Sequence, residues 1–271
     1  MKHLRLSLKE TLNLPLEGER ICPDVMKNLN MEEILKVPLQ YGNKSYPLED
    51  FFLVEGDPGE HLELQGDLSR VKRLGEKMTC GTMSIHGDVG MHTGNGMSGG
   101  LLEIEGNAGD WLGGEMKGGT IHVRGNAGDC VGGAYRGSTK GLNNGVIVID
   151  GNCGHMAGEL MMRGFIAVLG DVGDYAGCMM KGGTIVVFGQ SQQRIGGGMK
   201  RGTIISMNQP DLLPTFHYDC RYQPTFMPLI WSKLRQLGVD ISPEYEHGMY
   251  RHYSGDSSEL GKGEIIVYDQ T

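Results

Sequence analysis

The chain has 271 residues, 39% hydrophobic and 21% charged, so it can bury a core and is not compositionally disordered. A formal charge of −8 leaves no basic footprint for nucleic acid or an anionic membrane. Forty-five glycines without a collagen triplet point instead to many tight turns.

The N-terminal stretch MKHLRLSLKETLNL alternates charge and leucine and lacks the continuous apolar core of a signal peptide. No stretch approaches the ~20 apolar residues of a membrane helix, so a cytoplasmic chain is expected. Residues 1–65 read as an N-terminal cap, with a short helix over Asn30–Lys36 and two strands, FFLVEG and HLELQG. The six cysteines are scattered without a Cys-x-x-Cys pair, which argues against iron–sulfur or structural zinc sites and for small buried hydrophobes.

From about Gly66 to Met207 the chain repeats. Turn glycines stand at Gly87, Gly106, Gly125, Gly151, Gly170 and Gly189, with spacings of 19, 19, 26, 19 and 19. Asp88, Asn107, Asn126, Asn152 and Asp171 follow five of them, placed to bond local amides and to adopt left-handed corners. Seven residues after each turn comes Gly94, Gly113, Gly132, Gly158, Gly177 or Gly196. Ten residues after it comes Met97, Met116, Tyr135, Met161, Met180 or Met199, an adaptable inner ladder. The extra seven residues of the 26-residue spacing are placed between Tyr135 and Gly145, with the stretch RGSTKGLNNG bulging from one corner.

Each unit carries a five-residue strand: TMSIH, LLEIE, TIHVR, VIVID, FIAVL, TIVVF, TIISM. Alternation points Met83/Ile85, Leu102/Ile104, Ile121/Val123, Ile147/Ile149, Ile166/Val168, Ile185/Val187 and Ile204/Ser206 to one face, a stacked core. Nineteen residues are too few for a βαβ crossover but enough for one coil with two or three short strands and glycine corners. The expected fold is all-β: a right-handed parallel β-helix, or solenoid, of about seven ~19-residue coils with α/β caps at both ends. Its domains are the cap (1–65), the glycine-rich β-helix (66–207) and a C-terminal extension (208–271) packing on the solenoid. That extension has a helix around Leu229–Leu237 and a closing strand EIIVYD.

The outward strand positions split into two halves. Early coils present polar residues such as Ser84, His86, Glu103, His122 and Arg124; later ones present Val146, Val148, Phe165, Ala167, Val186, Phe188 and Ile205. That apolar patch exceeds what a soluble monomer tends to expose, so these seven are packing or interface candidates. The chain's own tail is the expected cover, through Phe216, Tyr218, Phe226, Leu229, Trp231 and Leu234, with a partner subunit as the alternative.

No nucleophile with a nearby base stands apart from the repeat, so no catalytic, cofactor-binding or metal residue is assigned. Gly94-Asn-Gly96-Met-Ser-Gly99 fits a dinucleotide fingerprint but lies inside the repeat with no βαβ unit around it. His86 and His122 read as surface histidines rather than zinc ligands. Arg136, Lys140 and Arg163 are the cations that an anionic ligand would meet if the chain were a free binding module.

The pattern Gly94/Met97/Gly99-Gly100, repeated at Gly113/Met116/Gly118-Gly119 and Gly177/Met180/Gly182-Gly183, resembles the glycine-rich β-helix domain of glutamate synthase and of the C subunit of formylmethanofuran dehydrogenase. Pro23-Asp24, Asp50-Phe-Phe-x-Val-x-Gly-Asp57 and Gly128-Asp129-x-Val-Gly-x-x-Tyr135-Arg-Gly137 resemble the dehydrogenase branch. Leu213-Pro-Thr-Phe216 resembles the related C subunit of the bacterial formyltransferase/hydrolase complex. The resemblance implies a scaffold subunit without catalytic residues. Its partners would be an amidohydrolase-like subunit and a formyltransferase subunit, and the complex would use a furan cofactor (methanofuran or methylofuran) and tetrahydromethanopterin and release formate. The alternative is the archaeal tungsten or molybdenum dehydrogenase, which adds a molybdopterin subunit; a glutamate-synthase-type domain is more distant.

Overall fold

The computed structural model describes residues 3–270. It opens with β1 (His3–Leu8), β2 (Leu16–Glu17), helices α1 (Pro23–Met26) and α2 (Met31–Leu35), the hairpin β3 (Pro38–Tyr41) and β4 (Lys44–Pro47), then β5 (Phe52–Gly56), β6 (His61–Gln65) and β7 (Val71–Lys72). The repeat supplies β8 (Thr82–His86), β9 (Ser98–Ile104), β10 (Lys117–Val123), β11 (Asn144–Ile149), β12 (Phe165–Val168), β13 (Lys181–Val187) and β14 (Arg201–Ser206). β15 (His217–Tyr222), α3 (Met227–Gln236), α4 (Glu244–His247), β16 (Tyr250–Gly255) and β17 (Lys262–Tyr268) complete the chain. Helix α2 starts where the sequence places it: Asn30 and Glu33 form a reciprocal capping box.

Strand far outweighs helix, and thirteen strands form one sheet in the order β15-β16-β17-β14-β13-β12-β11-β10-β9-β8-β6-β1-β5. The neighbours from β17 through to β1 are parallel, and antiparallel strands close both ends. Met83, Leu102, Ile121, Ile147, Ile166, Ile185, Ile204 and Ile265 are successive register partners. A second column of single-residue parallel bridges, Leu68–Val89–Ala108–Ala127–Cys153–Val172–Ser191, runs beside the sheet. Each repeat therefore contributes one strand and one bridge, where two or three strands were expected. Glycine corners leave too little extended backbone for more.

All fourteen inward positions from Met83 to Ser206 are buried, and Ser206 satisfies its hydroxyl by donating to the Asn208 carbonyl at 2.6 Å. Met78, Met97, Met116, Met161, Met180 and Met199 are fully buried beside them. Tyr135 is not in that ladder. Leu142 takes its place, fully buried, with Asn143 N donating to the Met116 carbonyl and Met162 N donating to the Leu142 carbonyl. The extra residues thus precede Leu142, and Leu142 is the part of RGSTKGLNNG that enters the core. The reason is chemical: the slot is apolar, and leucine fills it without a hydroxyl to satisfy.

Two further expectations change. The Asp/Asn column does not bond local amides; each side chain accepts from the next repeat. Asn107 N donates to Asp88 Oδ1 at 2.7 Å, Asn126 N to Asn107 Oδ1 at 2.9 Å and Asn152 N to Asn126 Oδ1 at 2.8 Å. Left-handed residues other than glycine fall instead on Arg73, His92, Trp111, Cys130, Met156, Tyr175 and Arg194, with φ from +55° to +65°, and on Lys77, Glu115, Leu160 and Met179, with φ from +52° to +56°. His122 faces outward but is only 4% exposed, bonded through Nε2 to Asp150 Oδ1 at 2.8 Å. Among parallel rungs the neighbouring side chains flank it closely, so an outward position is not necessarily a wet one.

Candidate functional site

The outward apolar residues of β11–β14 lie side by side: Val148, Ala167, Val186, Ile205 and then Ile266 are register partners. All five are fully buried. They form a second core with Met227, Trp231 and Leu234 of α3, Val239, Ile241 and Tyr250, while Val146, Phe165, Leu169 and Phe188 pack at its margin. Residues 227, 231 and 234 share one helix face by their i, i+4, i+7 spacing. Phe188 meets Trp231 at a ring distance of 6.0 Å, and the Trp231 indole donates to the Tyr245 carbonyl at 3.1 Å. The cover is thus part of this chain. Not every tail residue takes part: Tyr218 and Leu229 are 56% and 75% exposed, and Phe216 joins the inner core instead.

A different surface stays open. The left-handed column brings Trp111, Cys130 and Met156 to one edge, and the insertion folds over them. The result is a cleft of about 380 Å³ walled also by Tyr135, Arg136, Ser138, Glu159 and Leu160. The Trp111 and Tyr135 rings are 18° from parallel with centroids 6.3 Å apart. His92 stacks on Trp111 at 5.6 Å and its Nδ1 is hydrogen-bonded to the Tyr135 hydroxyl at 2.8 Å. The loop is tied down by Lys181 Nζ, which donates to the Thr139 carbonyl at 2.7 Å.

Burial sets the titration of the groups around the cleft. Burial pushes the Cys130 thiol up to about 11 and the Tyr135 phenol up to about 12. Burial also raises the Glu159 carboxyl. His92 is lowered by burial and then by Arg73 and Lys72. A thiol held protonated is a poor nucleophile, so the cleft suits binding rather than covalent chemistry. Among the described residues no group of three His, Cys, Asp or Glu side chains is placed to hold a metal ion.

Of the three sequence-nominated cations, Arg136 lines this cleft; Lys140 and Arg163 do not, and both are exposed. Sequence reading missed the cleft because it aligned Tyr135 with the methionines. Aligning Leu142 there instead would have released Tyr135 into the insertion, next to the left-handed column. Among the described residues no helix is long and apolar enough to cross a membrane.

No family model matches this chain. It is 40% identical over 101 residues to the C subunit of the tungsten-containing formylmethanofuran dehydrogenase 2 of Methanothermobacter marburgensis, covering 35% of this chain and 37% of that protein. It is 42% identical over 97 residues to the C subunit of the molybdenum-containing formylmethanofuran dehydrogenase 1 of Methanosarcina barkeri, covering 34% and 32%. The match thus spans about a third of the length of these curated relatives. A chain in the crystal structure of the formyltransferase/hydrolase complex of Methylorubrum extorquens, solved with methylofuran, aligns with a TM-score of 0.90 and 34% identity. That alignment covers 98% of this chain and 100% of the other. By that full-length likeness and the partial dehydrogenase relatives together, the chain belongs to the family of C subunits shared by formylmethanofuran dehydrogenase and the formyltransferase/hydrolase complex.

Proposed function

We propose that this chain is a non-catalytic scaffold, the C subunit of a cytoplasmic formyltransferase/hydrolase complex that moves formyl groups between tetrahydromethanopterin and a furan cofactor and releases formate. The observation that carries this reading is the full-length fit to a chain of the Methylorubrum extorquens complex. In this reading residues 66–207 are a right-handed parallel β-helix of about seven coils, residues 1–65 its N-terminal cap, and residues 208–271 an extension docked on its side. The parallel register columns and the buried apolar face support that division. The chemistry belongs to an amidohydrolase-like subunit and a formyltransferase subunit. The cations Arg136, Lys140 and Arg163 do not converge on one site, so holding the furan cofactor is assigned to the partners.

The second reading is the C subunit of a tungsten or molybdenum dehydrogenase, favoured by the names of the partial relatives. One purification separates them. Isolated through a tag on this chain, the native complex should contain hydrolase and transferase subunits, release formate from the formylated furan, and lack tungsten and molybdenum. A complex carrying either metal and oxidising the formyl group would replace the first reading by the second. A chain that isolates without partners would remove both.

A further inference from the structure

We propose that the cleft beside the insertion is an anchor site for an extended segment of a partner subunit. One large apolar side chain of that segment enters over Trp111 and Met156, and its backbone amide lies between the Trp111 indole and Glu159. The inference rests on the complex-subunit reading above and names a contact within it.

Three observations point to a polypeptide. First, the cleft carries one unmatched donor and one unmatched acceptor. Trp111 Nε1 is buried without a hydrogen-bond partner, and no hydrogen bond or ion pair reaches the Glu159 carboxylate among the described residues. A buried donor without a partner is costly, so a backbone carbonyl is favoured against Trp111, while the N–H of the same segment can bond the half-buried Glu159. Second, beside small and polar residues the walls carry Trp111, Tyr135, Met156 and Arg136, side chains of the types enriched at interfaces. Met156 is 37% exposed within this cleft and so open to a partner. Third, about 380 Å³ lies near the small end of ligand pockets, room for one bulky side chain and its backbone. The walls are already fixed by the His92–Tyr135 bond and the Lys181–Thr139 bond, so ordering costs little on binding.

The test compares the isolated chain with the native complex. Under limited peroxide treatment, Met156 should oxidise at least fivefold more slowly in the complex than in the isolated chain. Two variants complete the test. Met156→Lys, whose folding is checked by the melting temperature of the isolated chain, should weaken assembly more than tenfold. Trp111→Phe keeps an aromatic ring but removes the N–H, and should weaken assembly about tenfold. Equal oxidation of Met156 in both states, or assembly of both variants within twofold of wild type, overturns the proposal. So does protection that depends only on the concentration of the isolated chain, which would make a second copy the occupant. If the wild-type chain binds no hydrolase or transferase subunit, the complex-subunit reading has failed rather than the cleft. Should Met156→Lys fail to fold, the wild-type oxidation pattern still decides.

Discussion

Gly158 sits at a φ of +72°, and a Cβ there would lie 2.5 Å from Ile185 Cδ1 of β13. Gly158→Ala therefore combines overpacking with a left-handed alanine. About 1–3 kcal/mol from the first and ~1–2 kcal/mol from the second are expected. Gly137 has a φ of +88° with nothing within 4 Å, so Gly137→Ala should cost only the backbone part, ~1–2 kcal/mol. Urea unfolding of the two variants checks this; equal losses would mean that Ile185 yields freely. Glu159 supplies a pH test at the same scale. Burial raises its carboxyl in the folded protein above the ordinary 4.5. A raised acid adds stability that is fully present below the unfolded pKa and is lost as pH rises through the folded one. Glu159→Gln should thus gain stability over wild type between pH 4 and pH 7. Melting temperatures measured at both ends would show a constant difference if burial of the charge were immaterial.

At the scale of the element, the insertion and the asparagine column obey different rules. Excising Tyr135–Gly141 restores a 19-residue spacing and joins Ala134 to Leu142, the register of Glu115 and Met116 in the preceding repeat. The parallel pairing of β10 with β11 does not depend on the loop, because Ile121 meets Ile147 whichever way the chain closes. Long loops cost little by length alone, so the excised chain should keep its circular dichroism spectrum while losing the cleft. Loss of cooperative unfolding would show that the loop is part of the stack. The column that runs through Asp88, Asn107, Asn126, Asn152 and Asp171 explains why the corner prefers a short polar side chain. Each one reaches the next repeat's amide at 2.7–2.9 Å, a link that binds repeats rather than shaping one turn.

Over the whole molecule, the ends of the stack are closed by the chain itself. Strand β17 pairs parallel with β14 although Ile204 and Ile265 are far apart in sequence, and the segment between them carries α3 onto the outer face. Trp231 is fully buried there and is the largest side chain in that second core. Trp231→Ala should cost ~3–5 kcal/mol, since it removes an aromatic side chain and leaves a cavity that rigid rungs cannot fill. It should also raise binding of a hydrophobic dye at the face of Val148, Ala167 and Val186. Unchanged dye binding would mean the tail stays docked without its anchor. Phe216 does the matching work for the inner core, closing its C-terminal end against Gly196 and Gly255.

The amino-acid sequence by itself determined the strands, their facing and their register. A period of nineteen pairs Leu102, Ile121 and Ile147 with all three pointing inward, and slipping by one residue would turn each to the opposite face of the sheet. Periodicity also located the insertion, but to within a few residues only, because spacing alone does not say whether Tyr135 or Leu142 fills the methionine slot. The tertiary structure decided that, by burying the residue without a hydroxyl. It alone decided which corner residues turn left-handed, since that follows from where the chain must bend to meet the previous repeat. The tertiary structure also decided that His122 is dry and that Trp111, Tyr135, Met156 and Glu159 share a wall. Trp111, Tyr135 and the Met156–Glu159 corner belong to successive repeats, and only the stacking of one repeat on the next brings them together.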